Sequence, residues 1–361
     1  MSLRPQPPFR HGQAERTALL LVNLGTPDQA SAPALRRYLG EFLSDPRVVE
    51  IPRLLWWPIL HGVILRTRPA KSAAKYKSVW LPQGSPLAVW TQRQAAAVAQ
   101  KLAAEGHGEL IVRHAMRYGN PSLPSVLDAV CAEGATRVLV LPMYPQYAAA
   151  TTASVGDKVM QWAQATRRVP ALRFAGAHHD DAGYIDALAA TLQSHWQHHG
   201  RGDKLVLSFH GVPRRSLLLG DPYHCQCHKT ARLLAQALAL PDDDVVVTFQ
   251  SRFGRARWLE PYTEPTLRAL AAQGVGSVDV MCPGFVADCL ETLEEIAQEA
   301  RAAFIEAGGR QFNYVPCLND SPLWIAALSA IALRHLQGWP TQAQPADPVS
   351  RQRALGLGAT D

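Results

Sequence analysis

The sequence predicts an α/β protein with two parallel sheets, each of roughly four strands and flanked by helices. The chain has 361 residues, of which 47% are hydrophobic, so it can bury a large core and is long enough for two domains. Short apolar runs alternate with amphipathic stretches, which is typical of strands and helices in a parallel sheet. Eight such runs fit two sheets of about four strands each.

The predicted strands are short apolar runs at 18–24, 109–116, 136–143, 171–176, 204–210, 244–250, 277–283 and 311–315. The predicted helices between them include 184–199, 224–240, 261–273, 286–307 and 321–337. We place a boundary near residue 175, which gives an N-terminal domain of residues 15–175 and a C-terminal domain of residues 176–337. Residues 338–361 are rich in Pro, Gln and small residues, so we expect a flexible tail.

Charge and hydropathy limit the kinds of binding partner and the cellular location that we expect. The formal charge is +6, but the basic residues are scattered and form no long blocks, which argues against nucleic acid as a partner. The N-terminus is polar and interrupted by prolines, so we expect a cytoplasmic protein. The longest apolar segment, 54–65, contains Pro58 and His61; it is too short to span a bilayer but can touch one. Six cysteines without an export signal indicate reduced thiols.

Ligands in parallel sheets bind beyond the carboxyl ends of the strands. The informative residues fall there, namely Asn23, Tyr144, His210, Gln250 and the segment after Met281. His210 ends an apolar strand and is followed by Gly-Val-Pro, so its imidazole should project from the strand end. It is either a hydrogen-bonded turn histidine or a functional one, and its position at the sheet edge favours a functional role.

A row of acids begins just after a predicted strand. Asp288, Glu291, Glu295 and Glu299 are spaced three, four and four residues apart, which on a helix places them along one face. Such a row is either a solvated surface or a path for a divalent cation, because carboxylate oxygens exchange aqua ions readily. Its start near a strand end, where a pocket is expected, favours the cation path.

The stretch 223–229 reads YHCQCHK and invites comparison with a metal site. Its His224, Cys225, Cys227 and His228 are too close together to converge on one ion as a closed zinc site. Cys225 and His228 could meet on a helix, but two ligands make a poor site. We interpret the stretch as a helix start after Asp221-Pro222. A cluster ligated by some of the six cysteines stays an alternative.

Several segments together resemble the ferrochelatase family: 22-VNLGTPD-28, 142-PMYPQYAAATTAS-154, 207-LSFHGVP-213, 220-GDPYHCQC-227, 248-TFQSRFGRARWLEPYT-263 and 282-CPGFVADCLETLEEI-296. The similarity runs from about Thr17 to about Leu336. It implies two Rossmann-like halves with a porphyrin cleft between them. It also implies insertion of ferrous iron into a porphyrin, expected to be protoporphyrin IX, which forms haem and releases two protons in the last step of haem biosynthesis.

The resemblance also assigns residues. His210 matches the active-site histidine and Glu291 the glutamate facing it, and both are candidate catalytic and metal-binding residues. Glu295, Glu299 and Asp288 match the acidic row behind that glutamate. The residues matching positions near the porphyrin are Leu24, Tyr144, Phe285, Trp258 and, on the cleft wall, Arg117; segment 54–65 resembles the apolar lip of the cleft.

Two departures from the family pattern stand out. Cys289 replaces a second histidine that some members carry, and no cysteine follows Cys317, where cluster-bearing members have cysteines in a C-terminal extension. We therefore expect no metal relay through position 289 and no iron–sulfur cluster in a C-terminal extension. No prosthetic group is expected to be required, and Fe²⁺ is expected as a substrate. A neutral imidazole, with an ordinary pKa of about 6.5, suits pyrrole deprotonation. That assigns His210 as the base and leaves Glu291 to deliver the metal or take the second proton. The alternative is an exchange of roles, with His210 as the first metal ligand, because imidazole also suits Fe²⁺.

Other functions remain open from the sequence alone. A chelatase for cobalt or another tetrapyrrole could use the same histidine and acids, and a tetrapyrrole carrier would grip the ring without inserting metal. A nucleotide-binding protein ranks last, since no G-x-G-x-x-G follows a strand. The expected partners are a porphyrin and Fe²⁺, and no nucleic acid. The chain is a monomer or a homodimer, and peripheral contact with the inner membrane stays open.

Overall fold

The computed structural model describes residues 3, 6, 9–254, 256–342 and 344–360. In this part of the chain, eight strands form two parallel four-stranded sheets. The N-terminal half contains β1 (Arg16–Thr26), β2 (Ile111–Gly119), β3 (Ala135–Pro142) and β4 (Ala171–Phe174), in the order β2-β1-β3-β4. The C-terminal half contains β5 (Lys204–His210), β6 (Val245–Gln250), β7 (Ser277–Met281) and β8 (Gln311–Tyr314), in the order β6-β5-β7-β8. The predicted fold class is confirmed, and both halves have the same strand order.

Helices cover both faces of each sheet. They are α1 (Ala32–Leu43), α2 (Arg53–Ile59), α3 (Leu65–Val79), α4 (Pro86–Ala104), α5 (Leu123–Ala132), α6 (Ser154–Gln164), α7 (Ala182–His199), α8 (Arg214–Leu218), α9 (Tyr223–Ala237), α10 (Thr263–Ala272), α11 (Arg301–Glu306), α12 (Pro322–Leu336) and α13 (Pro348–Gly356). Three segments are π-helices, at Leu60–Ile64, Ala149–Ala153 and Glu291–Ala300. Among the described residues, no helix is both long and apolar enough to cross a bilayer.

The helix predicted at 286–307 was wrong in its start and its type. The structure leaves 286–289 outside any helix, because tertiary partners take up the polar groups of these residues. The carbonyl of Val286 accepts hydrogen bonds from Asn319 N and from Gln94 Nε2, while Asp288 N donates to Asn319 Oδ1. The π-helix begins only at Glu291 and continues as α11.

The two halves share one hydrophobic core. Residues Ala18–Val22 of β1 are fully buried, and Leu19 and Leu21 belong to the same cluster as Leu205 and Leu207 of β5. Helices α7 and α12 pack against each other, and α12 also packs on α4 of the N-terminal half. Burial of apolar surface on this scale is the main force that holds parallel sheets together.

The sequence predicts a flexible tail from residue 338, and the structure places α13 within it. The tail returns to the N-terminal half, where Thr17 donates a hydrogen bond to the carbonyl of Pro340 at 2.6 Å. The guanidinium of Arg173 lies 4.1 Å from the ring centre of Trp339. These contacts tie the end of α12 to the edge of the first sheet.

Candidate active site

The sequence places His210 at a strand end, and the structure shows how its ring is oriented. β5 pairs with β6 so that His210 lies opposite Gln250, and its Nδ1 is 2.7 Å from the carbonyl of Gly211. A carbonyl oxygen can only accept, so Nδ1 carries the proton of the neutral ring. The lone pair of the other ring nitrogen, Nε2, is therefore the basic one and the possible metal ligand.

The turn after His210 requires glycine. A Cβ on Gly211 would lie 2.6 Å from the carbonyl oxygen of Gln250 and 3.2 Å from the ring of Trp258, closer than real side chains approach a backbone oxygen. The Gly211 N–H donates to that same carbonyl at 2.7 Å. Gly211 therefore lets Trp258 pack next to the strand end that carries His210.

Glu291 lies close to the same strand end, at the first turn of the π-helix. Gln250 Nε2 donates to the backbone carbonyl of Glu291 at 2.9 Å, which links Glu291 to the residue opposite His210. Burial raises the pKa of the phenol of Tyr76, and the Glu291 carboxylate raises it further. Burial likewise raises the pKa of Cys289, whose thiol is hydrogen-bonded to Glu291. Glu291 thus extends from the C-terminal half toward a wall formed by the N-terminal half.

Glu295 is held at the end of β6. Its carboxylate accepts hydrogen bonds from Ser251 N at 2.7 Å, from Ser251 Oγ, and from Gln250 Nε2 at 3.3 Å. Ser251 has a φ of 64°, a left-handed conformation that is costly for a residue with a side chain. Two hydrogen bonds from Ser251 to the carboxyl group of Glu295 offset this strain.

Glu299 and Glu294 share one partner from the other half. Lys75 Nζ, on α3, lies 2.7 Å from Glu299 Oε1 and 3.0 Å from Glu294 Oε2. The sequence-based row omitted Glu294, because an α-helical period places it off the face. The i→i+5 hydrogen bonding of a π-helix brings residues 294 and 299 to the same side.

Asp288 precedes the π-helix and has structural partners. It is 5% exposed, and its carboxylate accepts hydrogen bonds from Tyr314 OH, from Asn319 Nδ2 at 2.7 Å and from Thr292 Oγ1 at 3.2 Å. The expectation that four acids share one helix face is therefore wrong for Asp288, which is bound inside the C-terminal half. Glu291, Glu295 and Glu299 lie on the π-helix, where Glu295 contacts the end of β6 and Glu299 contacts α3.

Three of the five candidate porphyrin contacts, Phe285, Trp258 and Leu24, lie close to the His210–Glu291 region. The ring centre of Phe285 lies 6.5 Å from that of His210, and Trp258 packs at Gly211. Leu24, just before the end of β1, packs against the clusters that contain Phe285 and Leu290. Tyr144 packs against the core cluster of the N-terminal sheet, and its buried hydroxyl has no hydrogen-bond partner among the described residues. These half-buried apolar groups come from both halves of the protein.

Arg117 is the fifth candidate, and the structure places it inside the N-terminal half. It is 7% exposed, and its guanidinium bonds Asp45 Oδ2 at 2.5 Å and Ser154 Oγ at 2.7 Å. Burial alone would raise the pKa of Asp45, but hydrogen bonds from Ser154 and Tyr118 and the charge of Arg117 lower it. Arg117 therefore holds residues of the N-terminal half together from inside the core, where its guanidinium bonds Asp45 and Ser154.

The stretch 223–229 forms the start of α9, as the helix interpretation predicted, and Tyr223 N donates to Asp221 Oδ1 at 3.0 Å. The rings of His224 and His228 are 4.5 Å apart, and His224 stacks on Phe249. Throughout the described residues, no three or more His, Cys, Asp or Glu side chains are grouped so as to hold a metal ion.

Sequence reasoning missed several residues of this region. Tyr76 and Lys75 belong to α3, whose KYK stretch carries no motif, and Ser251 follows a strand end without a recognisable signal. Their roles depend on contacts with residues far away in the chain. The assembled region has a basic imidazole nitrogen, carboxylates held on a neighbouring helix, and rigid aromatic walls, so it can grip a flat apolar ring, accept protons from it and admit a cation.

Comparison with known proteins agrees with this chemistry. The sequence profile of the ferrochelatase family matches residues 16–336. A protein named ferrochelatase from Methylibium petroleiphilum is 66% identical, covering 99% of both chains, and one from Bordetella pertussis is 60% identical, covering 90% of both.

Two SirB structures resemble the fold. One from Bacillus subtilis with Fe³⁺ has a TM-score of 0.52 at 14% identity, covering 92% of this chain and all of that one. A sirohydrochlorin chelatase SirB from the same species with cobalt has a TM-score of 0.51 at 12% identity, covering 90% and 97%.

Proposed function

The chain belongs to the ferrochelatase family, and on that premise we propose how its own residues insert ferrous iron into a porphyrin to form haem. The enzyme is a lyase that forms nitrogen–metal bonds, and Fe²⁺ is its substrate. We take protoporphyrin IX as the ring, and no prosthetic group is required. The observation that carries the proposal is Gln250, which lies opposite His210 and bonds both Glu291 and Glu295.

His210 is the base that removes pyrrole protons. Its Nδ1–H is held by the carbonyl of Gly211, so Nε2 presents its lone pair away from the turn. A neutral imidazole accepts protons well near pH 7, where a pyrrole N–H must be lost before the nitrogen can bind iron. The short Gly211 turn fixes the ring direction and so removes rotational freedom that would slow the transfer.

Glu291 acts from the opposite side of the ring and delivers the metal. Oxygen ligands suit a hydrated cation that must be released again, and Gln250 ties the backbone of Glu291 to the strand end that carries His210. Glu295 and Glu299 continue from it along the π-helix toward solvent, with Glu299 half exposed. Asp288 supports this path indirectly, because its hydrogen bonds fix the segment from which the π-helix starts.

The porphyrin is gripped by Leu24, Tyr144, Phe285 and Trp258. Bending the flat ring exposes the nitrogen lone pairs, and strain of about 1–5 kcal/mol is usual for such distortion. Rigid aromatic side chains on both halves can hold the bent ring. Arg117 contributes by keeping the N-terminal wall in place, since its guanidinium is occupied by Asp45 and Ser154.

We propose that exposed apolar residues on α2 and α8 form a lip at the mouth of the cleft. On α2, Leu54 is 90% exposed, and on α8, Leu218 is 74% exposed. Arg53 stacks on Trp57 beside Leu54, so basic and apolar groups lie together, as in segments that bind anionic bilayers. We propose that this lip contacts a membrane peripherally and that domains 15–175 and 176–337 meet at the cleft. Flotation with anionic vesicles tests this contact: the wild type should float with the vesicles, and Leu54→Ser should float less. Equal flotation of the two proteins would contradict a contact through Leu54.

The central test is insertion by purified protein under anaerobic conditions, followed as the loss of free-porphyrin fluorescence with Fe²⁺ or Zn²⁺. His210→Ala should abolish insertion and leave the Kd for porphyrin nearly unchanged. Glu295→Gln should slow turnover mainly at low iron. A His210→Ala variant that inserts metal at the wild-type rate would refute the role of His210. Faster insertion of cobalt than of iron would refute the proposal that iron is the metal substrate.

A further inference from the structure

The outer end of the acid row is occupied by a side chain from the other half of the protein. Lys75 Nζ contacts Glu299 at 2.7 Å and Glu294 at 3.0 Å. Both are charge-assisted contacts, so one ammonium group is held by two carboxylates. These acids are five residues apart, and the i→i+5 geometry of the π-helix brings them to one cation. Lys75 therefore fills the position that a cation entering along the acids must pass.

Burial makes the contact firmer than an ordinary surface ion pair. The side chain of Glu294 is only 10% exposed, whereas those of Lys75 and Glu299 are 44% and 55% exposed. A buried carboxylate needs a partner, since leaving it unpaired is costly. Glu294 thus holds Lys75 in place, while exposed Glu299 is the acid that can exchange the ammonium for another cation.

The other charged groups nearby do not replace Lys75. Glu295 is bound by Ser251 and Gln250 at the end of β6. Lys71 and Lys77, on the same helix, are exposed and form no ion pair with the residues that the structure describes. Lys75 is thus the cation of α3 that competes for Glu299.

We propose that Lys75 is a tethered competitor of the incoming metal ion and sets the iron concentration at which the enzyme works. The inference rests on the acid path of the proposed function. A divalent ion reaches Glu299 by displacing the single charge of the ammonium, and Lys75 returns when the ion moves on. Abundant cations therefore bind Glu299 weakly, because each ion has to compete with the Lys75 ammonium, whose local concentration is very high.

The experiment measures the KM for Fe²⁺ and kcat at saturating porphyrin in four proteins: wild type, Lys75→Met, Lys75→Arg and Lys77→Met. Lys75→Met should lower the KM for Fe²⁺ roughly fivefold, the scale of a partly exposed ion pair, without a matching change in kcat or in the KM for porphyrin. Lys75→Arg and Lys77→Met should behave as wild type. Lys75→Gln serves as a second neutral variant if Lys75→Met folds poorly.

A structural role for Lys75 would act in the opposite direction. An unchanged or raised KM for iron in both neutral variants overturns the inference, as does an equal decrease in Lys77→Met. Binding of Mn²⁺ to porphyrin-free protein, read from the electron paramagnetic resonance of free Mn²⁺, separates this from the proposed function. It should tighten in Lys75→Met and return toward wild type when Glu299→Gln is added, and no tightening overturns the inference even if the wild type inserts iron.

Discussion

Gln250 should be a positioning residue whose loss slows insertion without unfolding the protein. It is 4% exposed, and its Nε2 donates to Glu291 O at 2.9 Å and to the Glu295 carboxylate at 3.3 Å. Its Oε1 accepts from Ser208 Oγ at 2.7 Å. Gln250→Met keeps the length of the side chain and removes all three contacts, and Gln250→Glu keeps the acceptor but adds a charge beside Glu295.

The magnitude follows from the kinds of bond lost. A hydrogen bond to a charged group is worth about 1.5–3 kcal/mol and a neutral one about 1 kcal/mol, and the 3.3 Å bond lies at the weak end. The variant therefore loses about 2–3 kcal/mol of the hydrogen-bond free energy that holds Glu291 and Glu295 in place. If half of this free energy is added to the activation barrier because the acids are misplaced, kcat falls about tenfold, since about 1.4 kcal/mol corresponds to a factor of ten in rate.

The assay is zinc and iron insertion at saturating porphyrin, with porphyrin affinity measured by fluorescence and folding by urea denaturation. Gln250→Met should lower kcat and leave the porphyrin Kd and the pH profile unchanged, because His210 keeps its bond to Gly211. Gln250→Glu should be slower still, because a carboxylate at 250 repels Glu295. Wild-type kcat in Gln250→Met, with the same KM for iron, would refute the reasoning.

Three further predictions concern the turn, the wall and a buried imidazole. Gly211→Ala places a Cβ against the Gln250 carbonyl and should cost about 1–3 kcal/mol by overpacking and slow zinc insertion; normal rates would contradict the tight turn. Arg117→Met leaves Asp45 buried without its cation and should cost about 3–5 kcal/mol in urea unfolding, whereas a loss below about 1 kcal/mol would contradict it. Burial lowers the pKa of His178 to about 4, so the unfolded chain binds this proton first and stability falls as pH drops from about 6.5 toward 4; His178→Phe should flatten that fall in pH-dependent melting curves, and an unchanged slope would contradict it.

The sheet could be predicted from the sequence because its signal is local. Residues 204–210 form an apolar run that the structure reproduces as β5, and the polar residue at its end, His210, lies at the edge where a parallel sheet binds ligands. The position of Glu291 followed from the family resemblance. Both inferences use only neighbouring residues or a recognised motif.

The partners of the acids could not be predicted, since they depend on distant parts of the chain. Lys75 meets Glu294 across 219 positions, and Arg117 meets Asp45 across 72. The π-helix has no separate apolar signature over ten residues, so the sequence predicts an α-helical period, which places Glu294 off the row. The start of that helix depends on Asn319, whose bonds to Asp288 no local pattern reveals.

The placement of the chemistry determines which part of the cleft can move. His210, Gln250 and Glu295 belong to one sheet and the helix that follows it, and the hydrogen bonds among them fix their separation. The two halves share a core, so they cannot swing apart as separate bodies without exposing apolar surface. By contrast, α2 buries no residue, and α3 meets the π-helix through Lys75. α3 itself is anchored by buried Ala73 and Tyr76, so a motion that admits a ring is confined to α2, while the proposed base and acids keep their geometry.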